Sequence, residues 1–225
     1  MQSRSAAERR EELVALYREA SECVRCPLHQ GRTNVVFGNG NADADLMFVG
    51  EAPGHHEDLQ GLPFVGRAGQ LLDQLLGEIG LSRRDVFVCN TLKCRPPGNR
   101  DPQPDEIDTC RPYLQQQVEL IEPKVICTLG NFATKLLTRS NRGITGVHGR
   151  PQVYELGGRA VRVYPLYHPA AALRSTGTLA QLREDFARLP ALLEEPPPVP
   201  IGAVAPVAVA TVAAAPEPSQ MDLFG

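Results

Sequence analysis

DLMFVG (45–50), EAPG (51–54) and GQLLDQLLGEIG (69–80) succeed one another in this chain of 225 residues, and their order decides the fold class. The first is a short continuous apolar run, as expected of a strand buried on both faces. The last places Leu71, Leu72, Leu75, Leu76 and Ile79 at helical spacing and stops at Gly80. The same alternation recurs outward. DVFVCN (85–90) reads as a strand, and PDEIDTCRPYLQQQVELI (104–121) as a helix with acids in its first turn, where the macrodipole favours them. KVICTLG (124–130) and NFATKLLTR (131–139) repeat the pair. Residues 6–20 form a helix with Leu13, Leu16 and Tyr17 on one face. QVYEL and RAVRVYPL flank Gly157-Gly158 as a hairpin, and TLAQLREDFARLPALL (178–193) is a closing helix. Strands that each lead into a helix predict an α/β fold with a mostly parallel sheet covered on both faces. Ligands of such sheets bind beyond the carboxyl ends of the strands. Gly50–Gly54, Asn90, Gly130-Asn131 and His168-Pro169 all fall there.

Composition narrows the class further. Net charge is −3, with 22% charged and 42% apolar residues, ordinary for a soluble domain. No apolar run approaches the roughly 18 residues of a membrane span. The first twenty residues are charged throughout and lack a hydrophobic signal core, so a cytoplasmic location is expected. Between Lys135 and Arg174 stand seven basic residues and one acid, Glu155, a net of +6. This is either a solvated face or a surface for a phosphate backbone.

Six cysteines in a reducing compartment argue for metal ligation or catalysis rather than disulfides. Cys89 and Cys127 lie inside strands and are core residues. Cys23 and Cys26 form a C-x2-C pair followed by Pro27, and Cys94 and Cys110 form a wider second pair. Four thiolates can hold zinc or an iron–sulfur cubane, and spacing alone leaves both open.

GEAPGHHEDLQGLPFVGRAGQLLD, NTLKCRPPGNRDPQPDEIDTCRPYL, LGNFATKLL and YHPAAALR together resemble the family-4, iron–sulfur uracil-DNA glycosylases, in that family's order from residue 23 to about 190. The resemblance implies a three-layer α/β/α sandwich, removal of uracil from single- and double-stranded DNA, and a structural [4Fe-4S] cluster on Cys23, Cys26, Cys94 and Cys110. It places His168 as donor to uracil O2, Asn90 as reader of the flipped base and Phe64 as the ring that stacks on it. Ala52, Pro53 and Gly54 would bring backbone N–H groups to the base or sugar. Either Glu51 or Glu57 would activate water, Glu51 first. Other glycosylases of this fold carry Asp where this chain has Ala52. His55 and His56 are expected at the surface near DNA. Leu173 is the candidate wedge into the duplex, with Arg174, Lys93, Arg95 and Arg100 as candidate phosphate contacts. No lysine of these motifs is placed for a Schiff base, with Lys93 the one to exclude, so a monofunctional hydrolase is expected; a monomer is expected too. The competing reading is a non-catalytic iron–sulfur DNA-binding protein. A nucleotide-binding protein with structural zinc ranks last, because no phosphate-cradling glycine loop follows a strand.

The chain therefore divides into a folded domain (1–193), a flexible Pro/Ala-rich linker (194–219) and the terminal segment QMDLFG (220–225). Gln220, Leu223 and Phe224 resemble the bacterial sliding-clamp-binding pentapeptide. That implies a bacterial, nucleoid-associated protein and a clamp partner.

Overall fold

The computed structural model describes residues 4–198. Its three central strands, β2 (Leu46–Gly50), β3 (Val86–Asn90) and β4 (Val125–Leu129), bury every residue they contain. The six-stranded sheet adds β1 (Asn39–Gly40), β5 (Gln152–Leu156) and β6 (Arg159–Leu166), in the order β1-β3-β2-β4-β6-β5. The four inner strands are parallel, and the two edges are antiparallel.

Side-chain alternation along each strand assigns residues to two cores. Met47, Val49, Phe87, Cys89, Ile126 and Val163 face α1 (Ala6–Ser21), α4 (Pro104–Ile121) and α5 (Asn131–Thr138). Leu46, Phe48, Val86, Val88, Cys127 and Tyr164 face α3 (Arg67–Glu78), α7 (Thr176–Ala187) and α8 (Leu189–Glu194). The result is the three-layer α/β/α sandwich with a mostly parallel sheet. Cys89 and Cys127 are fully buried within it. No helix of the described residues is long and apolar enough to cross a membrane.

The structure departs from the sequence reading at short elements and boundaries. A six-residue helix, α2 (His55–Gln60), and the two-residue β1 carry too few residues to show a period. α3 starts at Arg67, two residues early. The closing helix is two helices, α7 and α8, which meet at Arg188. Pro190 has no N–H to continue the ladder, so the first helix ends ahead of it. A further single turn, α6 (Pro169–Ala172), follows His168.

β2 leads outward to β3, while β4 lies on its other side. A doubly wound sheet opens a crevice at such a reversal, beyond the carboxyl ends of its strands. Gly50 pairs in register with Asn90, so the two strand ends arrive side by side.

Candidate active site

A cleft of about 610 Å³ opens at that end of the sheet. Glu51, Ala52, Pro53, Gly54, Glu57, Phe64, Asn90, Arg100, His168 and Arg174 line it, together with Pro96, Asn99 and Asp101. The loops after β2, β3 and β6 each bring one part. Thr91 N donates to Gly50 O at 3.0 Å and Leu92 N to Glu51 O at 3.0 Å, extending the β2–β3 pairing past the strand ends.

Phe64 is held in an uncommon way. Its φ is 55°, in the left-handed region that bulky residues avoid. Three contacts fix it there. Glu57 Oε1 accepts from Val65 N (3.1 Å) and Gly66 N (3.2 Å). Arg83 Nη2 donates to Phe64 O at 2.9 Å. Gly69 lies so close that a Cβ there would overlap Phe64 O. So held, the Phe64 ring stacks on His168, with centroids 5.7 Å apart and planes 28° apart. It also packs over Gly50, where an added Cβ would meet Phe64 Cζ at 2.8 Å and crowd Asn90 Oδ1.

His168 N-caps α6, and its Nδ1 accepts from Ala170 N at 3.0 Å. An imidazole whose Nδ1 accepts carries its proton on Nε2 when neutral. Burial pushes the His168 pKa down to about 4, against the opposing pull of Glu57. His168 is therefore a neutral Nε2–H donor at pH 7. Burial, reinforced by Asp101, raises the Glu51 carboxyl above its usual range. Glu51 makes no side-chain hydrogen bond with the described residues, whereas one Glu57 oxygen is already committed to two backbone N–H groups.

The basic candidates separate. Arg174 lines the cleft and is exposed, and Leu173 beside it is 41% exposed. Arg95 bonds Asn99 Oδ1 at 2.6 Å and lies 3.2 Å from His55 Nδ1. His55 and His56 are exposed at the start of α2. Arg100 reaches the cleft with both terminal nitrogens on buried Glu106 (2.9 and 2.5 Å), so its charge is already matched. Lys93 requires correction as a phosphate contact. It is only 2% exposed, and its Nζ donates inward to Asn90 O (2.7 Å) and Gln117 Oε1 (2.6 Å). The same bonds keep it from a sugar carbon.

The iron–sulfur expectation is also corrected. Cys23, Cys26, Cys94 and Cys110 line one small cavity, and none is in a disulfide. Among the described residues, no group of three or more His, Cys, Asp or Glu side chains is placed to hold a metal ion. Burial pushes the Cys26, Cys94 and Cys110 thiols up, the last to about 11. Lys93 N donates to Cys110 Sγ (3.3 Å) and Arg32 Nη1 to Cys94 Sγ (3.4 Å). The residues present do not fit the cluster.

Residues 37–189 match the profile of the uracil DNA glycosylase superfamily. The chain belongs to the uracil-DNA glycosylase superfamily. It is 47% identical over 182 residues to a type-4 uracil-DNA glycosylase of Sulfurisphaera tokodaii, covering 79% of this chain and 83% of that protein. It is 48% identical over 168 residues to a type-4 uracil-DNA glycosylase of Thermotoga maritima, covering 74% and 86%. A type-5 uracil-DNA glycosylase of Pyrobaculum aerophilum is 31% identical over 155 residues, covering 62% of this chain and 67% of that protein.

The sequence reading missed Arg83 and Asp101. Arg83 stands in LSRRD, nineteen residues beyond the carbonyl it grips, and no motif ties the two. Asp101 lies in a proline-rich loop whose path only the fold reveals.

Titration followed by NMR checks the charge assignment. His168 should titrate at about pH 4 with its proton on Nε2 above that, and Glu51 should titrate above an ordinary glutamate. A His168 midpoint near the unperturbed value of roughly 6.5 would contradict the buried, neutral imidazole.

Proposed function

We propose that this protein is a monofunctional uracil-DNA glycosylase that hydrolyses the N-glycosidic bond of uracil everted from DNA and leaves an abasic site, the first step of base excision repair. One observation carries the reading. A neutral Nε2–H imidazole, an aromatic ring and a buried amide share one cleft with an unpaired carboxylate.

The reaction develops negative charge on the departing base and positive charge on the sugar. A preorganised donor aimed at the developing anion is the largest single aid to such a step. Nε2 of His168 supplies it at uracil O2, at no cost of deprotonation. The Asn90 amide can donate to uracil O4 and accept from N3–H. Cytosine offers the opposite pattern at both positions, and a site left with mismatched buried polar groups rejects the wrong base by about 10⁴-fold or more. Phe64 stacks on the everted ring. Glu51 is the base that activates water, since its oxygens are uncommitted and its raised pKa makes it a stronger base than an ordinary carboxylate. Glu57 acts through Phe64 rather than on water. Ala52, Pro53 and Gly54 offer backbone to the base, Leu173 fills the vacated stack and Arg174 holds a phosphate.

An oligonucleotide with one uracil, beside the same strand with thymine or cytosine, tests the proposal through abasic-site formation. Only the uracil strand should be cut. His168→Ala should lower kcat by about 10²–10³-fold and Glu51→Gln by about 10²–10⁴-fold. Glu51→Gln should also raise Tm. A carboxyl with a raised folded-state pKa binds its proton more tightly when folded, so stability falls as pH rises from the unfolded value to the folded one. The charged form is then a burden at pH 7 that Gln removes. No cleavage by folded, DNA-binding protein would overturn the enzyme reading.

The proposal extends to the C-terminal segment, which lies outside the described residues. Gln220, Leu223 and Phe224 bind a sliding clamp, and the linker beyond residues 194–196, which α8 and Arg162 hold, tethers the domain and raises its effective concentration at replicating DNA. Replacing the three by alanine should abolish co-elution with a bacterial clamp and leave excision from free oligonucleotide unchanged. Undiminished co-elution would contradict the assignment.

A further inference from the structure

Of the seven basic residues from Lys135 to Arg174, Lys135 and Arg139 are exposed on α5 and at its C-terminal cap, and the other five divide in three. Arg159 and Arg162 lie toward the start of β6 and face Glu122 (3.8 Å) and Glu195 (3.0 Å). Arg174 lines the cleft. Arg142 and Arg150 are exposed and have no ion-pair partner among the described residues; Arg142 reaches only Gly146 O, at 3.4 Å.

Those two arginines flank the segment 143–149, which is fastened to the same end of the sheet as the cleft. Gly149 N donates to Pro165 O of β6 at 2.9 Å, and Ile144 N donates to Asn131 Oδ1, at the start of α5, at 2.7 Å. His148 pins the segment from below. Its Nδ1 bonds Asp185 Oδ2 at 2.7 Å, and its ring packs at 4.5 Å on Tyr167, the residue before His168. Asp185, on α7, is 2% exposed. The backbone is shaped to this pair. Gly149 has φ 67°, a Cβ there would run into Asp185 Oδ1, and Arg188 Nη1 donates to Gly149 O at 3.4 Å. A buried acid, a left-handed glycine and two backbone anchors are thus spent on holding one surface segment between two unpaired guanidinium groups. Burying a carboxylate is costly unless it is well partnered, and no ion pair within the described domain uses the arginines it presents.

We propose that segment 142–150 is a second contact with the DNA backbone, outside the cleft: Arg142 and Arg150 take phosphates flanking the everted nucleotide, and the His148–Asp185 pair is the positioning device between them. This rests on the glycosylase reading and adds a binding surface to it. The segment that carries the two arginines is anchored at the carboxyl side of the sheet, where DNA must lie to deliver a base to His168. Their contacts are to phosphate, so they are blind to sequence.

The test is equilibrium binding of the full-length chain to a uracil-free duplex across a salt series. The duplex is inert, so binding is read without catalysis. Each lost phosphate contact reduces the slope of log K against log salt by about 0.9. Arg142→Ala combined with Arg150→Ala should therefore flatten the slope by about 1.8. It should weaken binding alike on unrelated sequences. Arg84→Ala, an exposed residue at the amino end of β3 and so at the opposite end of the sheet, should leave the slope unchanged. His148→Ala keeps both arginines but unpins the segment, and should weaken binding without altering Tm enough to unfold the domain. An unchanged slope in the double variant overturns the contact, and wild-type affinity in His148→Ala overturns the positioning role. Failure of the wild-type chain to excise uracil would instead overturn the glycosylase reading and leave these salt slopes interpretable.

Discussion

Phe64 holds a left-handed backbone angle, φ 55°, and the shape of the cleft follows from it. Such an angle costs a bulky residue of the order of 1–3 kcal/mol and persists only where its surroundings over-determine it. Here they do. A carboxylate on α2 binds the two N–H groups that follow Phe64, a guanidinium after α3 binds its carbonyl, and the first turn of α3 carries a glycine where any side chain would collide with that carbonyl. The strain turns the ring toward His168 and over Gly50, closing one wall of the cleft. Strain of this kind gathers where function needs preorganisation.

The electrostatics of the cleft follow from burial at the sheet's carboxyl end. Desolvation lowers the pKa of an imidazole and raises that of a carboxyl, and the two shifts have complementary chemical uses. His168 is kept neutral, yet its lone pair is already engaged by Ala170 N, so what it presents is a donor. Glu51 keeps its oxygens free and gains basicity. Glu57, a few residues on, has the same side chain and a different task, because its oxygen is spent on backbone. Two carboxylates in one motif are thus told apart by their hydrogen bonds rather than by their type.

The periodic parts of the fold were legible in the sequence. Apolar runs of five residues marked β2, β3 and β4, and Leu71, Leu72, Leu75 and Leu76 marked α3, because burial on two faces or one stripe leaves a periodic signature. The two-residue β1 and six-residue α2 left none. In the site, motif positions indicated which residues lie at the strand ends, but not what each side chain does there. Nothing in LPFVG announces a left-handed phenylalanine, since only glycine and asparagine commonly signal that angle. Lys93 looked like a surface cation, and the fold turned it inward onto Asn90 and Gln117. The cysteine spacing suggested ligation, whereas the described residues place four thiols, two buried and two half-buried, that do not form a metal-holding group.

The central claim is that excision depends on a neutral His168 and an ionised Glu51, and the pH dependence of single-turnover uracil release tests it most directly. His168 should contribute no limb between about pH 6 and 8, because an imidazole with a pKa of about 4 does not titrate there. The rate should fall on the acid side as Glu51 takes up its proton, at a pH above the ordinary glutamate value of roughly 4.3. A limb centred near the unperturbed imidazole value of roughly 6.5, lost in His168→Ala, would contradict the account, since it would mean that the histidine changes charge where the structure holds it neutral.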